Sequence, residues 1–243
     1  RYGLPSCHTS RLAARIAPRL PASVRCVSIA KGVDDQGRCA WRIFYDVLGD
    51  KANYAVMYGP MISEEIRAGR PAFADIAASG TGDFRLLHEL FAGTTLYLRE
   101  STDPLGISWC AILKNVYAIA FGIADALALG DNVRGHLAVA AVEEIAAISQ
   151  HLGGRPESAY RRAGLGDLIT TATSTGSHHH ALGGLLVRGA HDQIRGEGVH
   201  SLEILRNRRL FDATPYPLFG MLAQMLRDPR AIRQRFERYL QTL

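Results

Sequence analysis

Cysteine is scarce and scattered in this chain. The four cysteines among 243 residues stand at 7, 26, 39 and 110, with no CxxC pair and no close cluster. A disulfide framework and a zinc knuckle are both unexpected, and reduced thiols fit better. Histidine spacing argues against metal binding too, because no two of the nine histidines lie four apart. Successive side chains on a helix point about 100° apart, whereas a shared ion wants i and i+4, so no metal is expected even at the run His178, His179, His180. Uninterrupted hydrophobic runs are missing as well. LGISWCAILKNVYAIAFGIADALAL, residues 105–129, is long enough to cross a bilayer but contains Lys114, Asn115 and Asp125. A central lysine or aspartate costs roughly 2.5–3.5 kcal/mol on the insertion scale, so this segment is expected as a helix buried in protein, with no membrane insertion. No signal-peptide pattern is recognised, and a cytoplasmic protein is expected.

The charge excess is small. Lys and Arg number 28 against 23 Asp and Glu, a formal +5, which suits small anionic metabolites or cofactors as readily as nucleic acid. The C-terminal RDPRAIRQRFERYL interleaves basic and aromatic residues, but its apolar positions fall at helical spacing, so a solvated amphipathic helix is expected and no nucleic-acid partner.

Against these absences stands a hydrophobic content of 47%, enough for a real core in one large domain or two ordinary ones. The first hundred residues alternate: VRCVSIAK reads as a buried strand, GRCAWRIFYDVLG as a helix, NYAVMYG as a strand, and PMISEEIRAG as a helix opened by its proline. PAFADIAAS, DFRLLHELFAG and TTLYLRES keep the same beat. Such alternation predicts an α/β layer with a mostly parallel sheet. After Asp103 strand signals stop, and AVEEIAAISQHL, HSLEILRNRRLF and PLFGMLAQML are helical. The division expected is therefore 1–102 as an α/β part and 103–243 as an all-helical part.

Lys114 carries the first chemical signal. Burial in an apolar helix disfavours the ammonium and draws its pKa towards the range useful to a general base. The bland alternative is a lysine at the helix edge that merely snorkels. Asp125, eleven residues on, shares its face about 16 Å along the axis. For Asp167 the plain reading is an N-terminal carboxylate that offsets the helix dipole.

WCAILKNVYAIAFGIADALALGDN, followed by AGLGDLITTATS, resembles the NAD(P)-dependent glycerol-3-phosphate dehydrogenases. The resemblance also takes in LPS at 4–6, AKG at 30–32, YGP at 58–60 with Glu65 after it, and EG at 197–198, in the family's order. It implies the remainder of a Rossmann-type α/β domain followed by an all-α helical domain, with the site in the cleft between them. It implies that Lys114 takes the proton from the secondary hydroxyl while a hydride leaves the same carbon for NAD or NADP. Asn115 would orient substrate and cofactor, Lys31 would supply a second positive group, and Asp167 would fix the lysine. Thr171, four residues beyond Asp167, would share the site. Gly59 would let substrate approach the backbone. Ser63, which stands with Met61 where the family has other residues, and Glu197 fall at cofactor positions.

By its flanks, SHHH aligns with a family Ser-Arg-Asn segment. Ser177 matches, whereas His178 and His179 replace the arginine and asparagine, with His178 also falling at a cofactor position. A guanidinium grips phosphate through paired donors and stays charged, and a histidine is only partly protonated near neutrality. The replacement is expected to weaken phosphate binding, make it pH-dependent, or mark another substrate.

No GxGxxG turn occurs in the sequence, which opens RYGLPSCHTS. Such a turn lets backbone amides and a helix N-terminus face the pyrophosphate. The expectation is either a fragment or a lineage without the first strands, and weak NAD binding by these 243 residues alone. A small phosphorylated metabolite and a second copy of the chain, as a homodimer, are the expected partners. The alternatives are a catalytically incompetent relative and a dehydrogenase of a hydroxy acid that lacks phosphate.

Overall fold

The computed structural model describes residues 6–21, 23–49, 52–80, 82–174 and 176–242. Leu4 and Pro5 of the LPS segment lie outside them. Four strands form one sheet in the order β1 (Arg25–Ser28), β2 (Asn53–Tyr58), β3 (Ala72–Ala78), β4 (Leu96–Glu100). Among them run α1 (Thr9–Ile16), α2 (Ala40–Leu48), α3 (Ser63–Arg67) and α4 (Asp83–Leu90). The strands β1 and β2 pair parallel, as do β3 and β4, but β2 and β3 pair antiparallel, with Tyr58 opposite Asp75.

Two of the three pairings are parallel, as the alternation predicts; the central reversal between β2 and β3 is the exception, and chain length explains it. A parallel return needs a crossover spanning the strand, about 20 Å for six residues. The only helix between β2 and β3 is α3, five residues long, which climbs roughly 7.5 Å. Pro60 also does not open α3, which begins at Ser63 with Ile62 before it. The Pro60 carbonyl instead accepts a hydrogen bond from the Phe73 amide at 3.2 Å, which ties this residue to the sheet edge of β3 and delays the helix.

Beyond β4 the described chain is helical: α5 (Pro104–Ala126), α6 (Asp131–His151), α7 (Asp167–Thr173), α8 (His178–Val187), α9 (Glu197–Asn207), α10 (Pro217–Arg227) and α11 (Ile232–Gln241). Asp103 caps α5 by accepting from the Gly106 amide at 2.9 Å, with Pro104 in the first turn where no amide is needed. Although α5 is long and apolar enough to cross a membrane, its most apolar stretch is entirely buried within the protein. It is the core helix. Val56, Tyr58 and Ala77 of the sheet join one apolar cluster with α5 and residues of α6, α8, α9, α10 and α11, while Ala55, Met57, Ala74 and Ile76 with Leu87 of α4 form a second, smaller one. Ile232, Phe236 and Tyr239 are the buried face of α11, the amphipathic helix that the spacing predicts.

Glycines decide how closely the helices approach. A Cβ on Gly122 of α5 would overlap the His180 carbonyl, and one on Gly183 of α8 would overlap Ile119 and Ile123 backbone atoms. With no side chain at either position, the two helices meet backbone to backbone. Gly198 of α9 repeats the device, since a Cβ there would stand 2.6 Å from the Asn115 carbonyl oxygen. The N-terminal ends of α8 and α9 are thereby brought against the middle of α5, where Lys114 and Asn115 lie.

Candidate active site

A cleft of about 910 Å³ opens between the β1 end of the sheet and the helices. Lys31, Lys114, Asn115, Asp167, Thr171, Ser177, His178, His179 and Glu197 all line it, so nine positions spread over 167 residues of sequence converge on one space.

Lys114 comes from the centre of α5 and is only 5% exposed. Its Nζ donates to Thr171 Oγ1 at 2.6 Å and lies 3.2 Å from Asp167 Oδ1. Burial, then the nearby Lys31 charge, pulls its pKa down to about 8, against the opposing pull of Asp167. The snorkelling alternative does not describe this side chain. Lys31 follows β1 and donates to Asp167 Oδ2 at 2.6 Å and to the Gly59 carbonyl at 3.2 Å. Two bonds set its place: Tyr58 Oη donates to the Ala30 carbonyl at 3.0 Å, and Asn115 Nδ2 donates to the Lys31 carbonyl at 3.2 Å.

Asp167 is the first residue of α7 and 3% exposed. The helical turn Arg162–Gly166 runs directly into it and its amide donates to the Arg162 carbonyl, so the plain dipole reading does not describe this carboxylate, which instead holds both lysines. Thr171, one turn on, donates back to the Asp167 carbonyl at 2.7 Å, leaving its oxygen free to accept from Lys114. Asn115 Oδ1 is buried and has no hydrogen-bond partner. An orphan acceptor at a cleft wall is uncommon and points to a missing donor.

Gly59 takes a positive φ of 156°, and a Cβ there would lie 2.9 Å from Ala74 Cα. Its bareness serves the close approach of β3, while its carbonyl serves Lys31. Glu197 opens α9 and accepts from Ser6 through the amide at 3.1 Å and the hydroxyl at 2.5 Å. Ser63 stands apart, with its hydroxyl donating to Glu64 at 2.9 Å, and is not among the cleft-lining residues.

The three histidines diverge. Ser177 caps α8, its oxygen accepting from the His180 amide at 3.2 Å. His178 is exposed, with Nε2 placed 2.7 Å from the Arg195 carbonyl; a carbonyl only accepts, so that nitrogen carries the proton. His179 Nε2 accepts from the Gly198 amide at 3.3 Å. Burial, with the charge of Lys114 next, depresses its pKa to about 3, so its ring is neutral. His180 turns away to Asp125 at 2.7 Å, which also pairs with Arg134. Among the described residues no group of three metal-ligating side chains is gathered.

The sequence reading missed the Ser6 partner of Glu197 and the glycine contacts at 122, 183 and 198. Isolated glycines within apolar helical runs were the available signal for the latter.

Two family models match the chain: the NAD-dependent glycerol-3-phosphate dehydrogenase N-terminus over residues 2–82 and its C-terminus over residues 103–236. A glycerol-3-phosphate dehydrogenase [NAD(P)+] of Synechococcus elongatus is 32% identical over 82% of this chain and 67% of that protein. One from Salinibacter ruber is 28% identical over 98% of this chain and 72% of its own length. Among solved structures, the glycerol-3-phosphate dehydrogenase of Coxiella burnetii superposes with a TM-score of 0.88 at 25% identity, covering 98% of this chain and 75% of that one.

Proposed function

Because the chain belongs to the NAD-dependent glycerol-3-phosphate dehydrogenase family, we propose that its cleft interconverts glycerol 3-phosphate and dihydroxyacetone phosphate with NAD or NADP, with Lys114 as the general base. The observation that carries this is the placement of the Lys114 amine: buried at a cleft wall, its pKa drawn down to about 8, and aimed by Asp167 and Thr171. An amine that loses its proton near working pH can take one from a secondary hydroxyl and return it in the reverse direction.

The other residues act around that transfer. Asp167 positions both ammonium groups and limits their repulsion. Lys31 supplies the second positive charge, which favours an oxygen that becomes more negative as the hydroxyl proton leaves. Thr171 fixes one hydrogen-bonding direction of the Lys114 amine. Ser177, His178 and His179 lie at the end assigned to the phosphate, and the Gly59 backbone borders Lys31. The dinucleotide's nicotinamide end fits the residues present: Asn115 Oδ1 lacks a donor that a carboxamide would provide, and Val27 and Ile29 give the cleft an apolar wall. Asn115 and Glu197 would hold it, with His178 as an outer candidate; Ser63, outside the cleft lining, would not. When bound, the nicotinamide takes up or gives back the hydride.

A second reading, a hydroxy acid without phosphate, is favoured by one observation. No arginine is among the described residues that line the cleft, and His179 there is neutral. The test of the main reading is turnover of glycerol 3-phosphate with NAD or NADP by the wild type and by Lys114→Ala. The variant should lose about 10²–10⁴-fold in kcat, and equal rates would remove Lys114 as the base.

A further inference from the structure

We propose that Asp75 is a positioning residue for Lys114: from the middle of the sheet it sets the turn that delivers Asp167, and Asp167 in turn sets the lysine. The catalytic consequence rests on the function proposed above, whereas the positioning itself does not.

Asp75 lies inside β3 and is 2% exposed. A carboxylate in a sheet interior is costly unless it is fully engaged, and both oxygens of Asp75 are engaged by one short segment. Its Oδ2 accepts from the Ala163 amide at 3.1 Å, and its Oδ1 lies 3.4 Å from Arg162 Nη1. These two residues open the π-helical turn Arg162–Gly166, which runs directly into Asp167. Wide turns of this kind are uncommon and, where they occur, are frequent at functional sites. The Gly166 amide closes the turn on the Arg161 carbonyl at 3.1 Å. A Cβ on Gly164 would overlap the Ala159 carbonyl, so the turn is pressed between the preceding helical turn on one side and Asp75 on the other. Asp75 is not among the cleft-lining residues. Its route to the chemistry is the turn, then Asp167, then the two ammonium groups.

The charged and titratable groups around Lys114 are Lys31 after β1, Asp167 on α7, His179 on α8 and Glu197 on α9. Asp167 raises the Lys114 pKa against burial and Lys31. If the turn slackens and Asp167 withdraws, the Lys114 titration falls.

The test is lysine-selective NMR on the isotopically labelled full chain, with the Lys114 resonance identified by its loss in Lys114→Ala. In Asp75→Ala the titration midpoint should fall by about one unit. In Asp75→Asn, which keeps an oxygen for the Ala163 amide, it should stay at the wild-type value. Should Asp75→Ala not fold, Asp75→Ser, with a hydroxyl too short to span the gap, gives the same comparison. An unchanged midpoint in a folded Ala or Ser variant overturns the proposal. Where the wild type turns over glycerol 3-phosphate, Asp75→Ala should also lower kcat about tenfold. A shifted titration without any wild-type turnover would sustain the positioning role and remove the proposed reaction.

Discussion

Lys31 and Lys114 hold one carboxylate by its two oxygens, Lys31 at 2.6 Å from Oδ2 and Lys114 at 3.2 Å from Oδ1 of Asp167. One buried anion thus serves two cations, and their mutual repulsion is answered only in part. The excess helps to depress the Lys114 pKa, with burial as the larger cause. The same contacts that fix the amine in space also set the pH at which it is free to accept a proton.

The pH dependence follows with a definite sign. With Lys114 as the proposed base, oxidation of the hydroxyl needs the neutral amine, so kcat/KM in that direction should climb with pH and level off above about 8. Reduction needs the ammonium, so its rate should be highest below that value and fall above it. Steady-state rates in both directions, each over pH 6 to about 10 at saturating cofactor, check this. Parallel profiles in the two directions would rule out a single acid-base group.

At position 178, an arginine should restore a permanent charge to the end of the cleft where the neutral His179 offers none. His178→Arg is expected to lower KM for glycerol 3-phosphate about 10-fold or more, as a charged hydrogen bond contributes roughly 1.5–3 kcal/mol. An unchanged KM would place the phosphate elsewhere. A gain confined to the phosphorylated substrate, measured beside an unphosphorylated hydroxy acid, would favour the glycerol 3-phosphate reading.

Much of the architecture is readable in the residues themselves. The strands at 25–28, 53–58, 72–78 and 96–100 and the buried helix through Lys114 follow from local pattern, because burial on a sheet or in a core imposes its period on the chain. The antiparallel turn between β2 and β3 does not, since alternation of strands and helices says nothing about whether a crossover is long enough. Lys114 stood out because a charge inside an apolar helix breaks its own pattern. Ser6 with Glu197 left no such trace. They are 191 positions apart, and a pair at that distance has no period to betray it.

Opposite outcomes are expected for two glycines. Gly183→Ala places a Cβ into the backbone of α5, where neither partner can yield without separating the helices. It should destabilise the fold by about 1–3 kcal/mol. Gly135→Ala, on an open face of α6 with nothing within 4 Å, should stabilise by roughly 0.5–1 kcal/mol. Denaturant titrations of both variants give the comparison, and a destabilised Gly135→Ala beside an unaffected Gly183→Ala would contradict the packing described.

The bare contact between Gly122 and Gly183 also bears on how such a protein can diverge. With α8 seated directly on α5, the helix that carries Lys114 and the helix that opens at residues 178 and 179 are parts of one solid block. Replacing a side chain at 178 or 179 leaves that block where it is. A lineage built this way can vary the side chains at that end of the cleft while Lys114 keeps its aim.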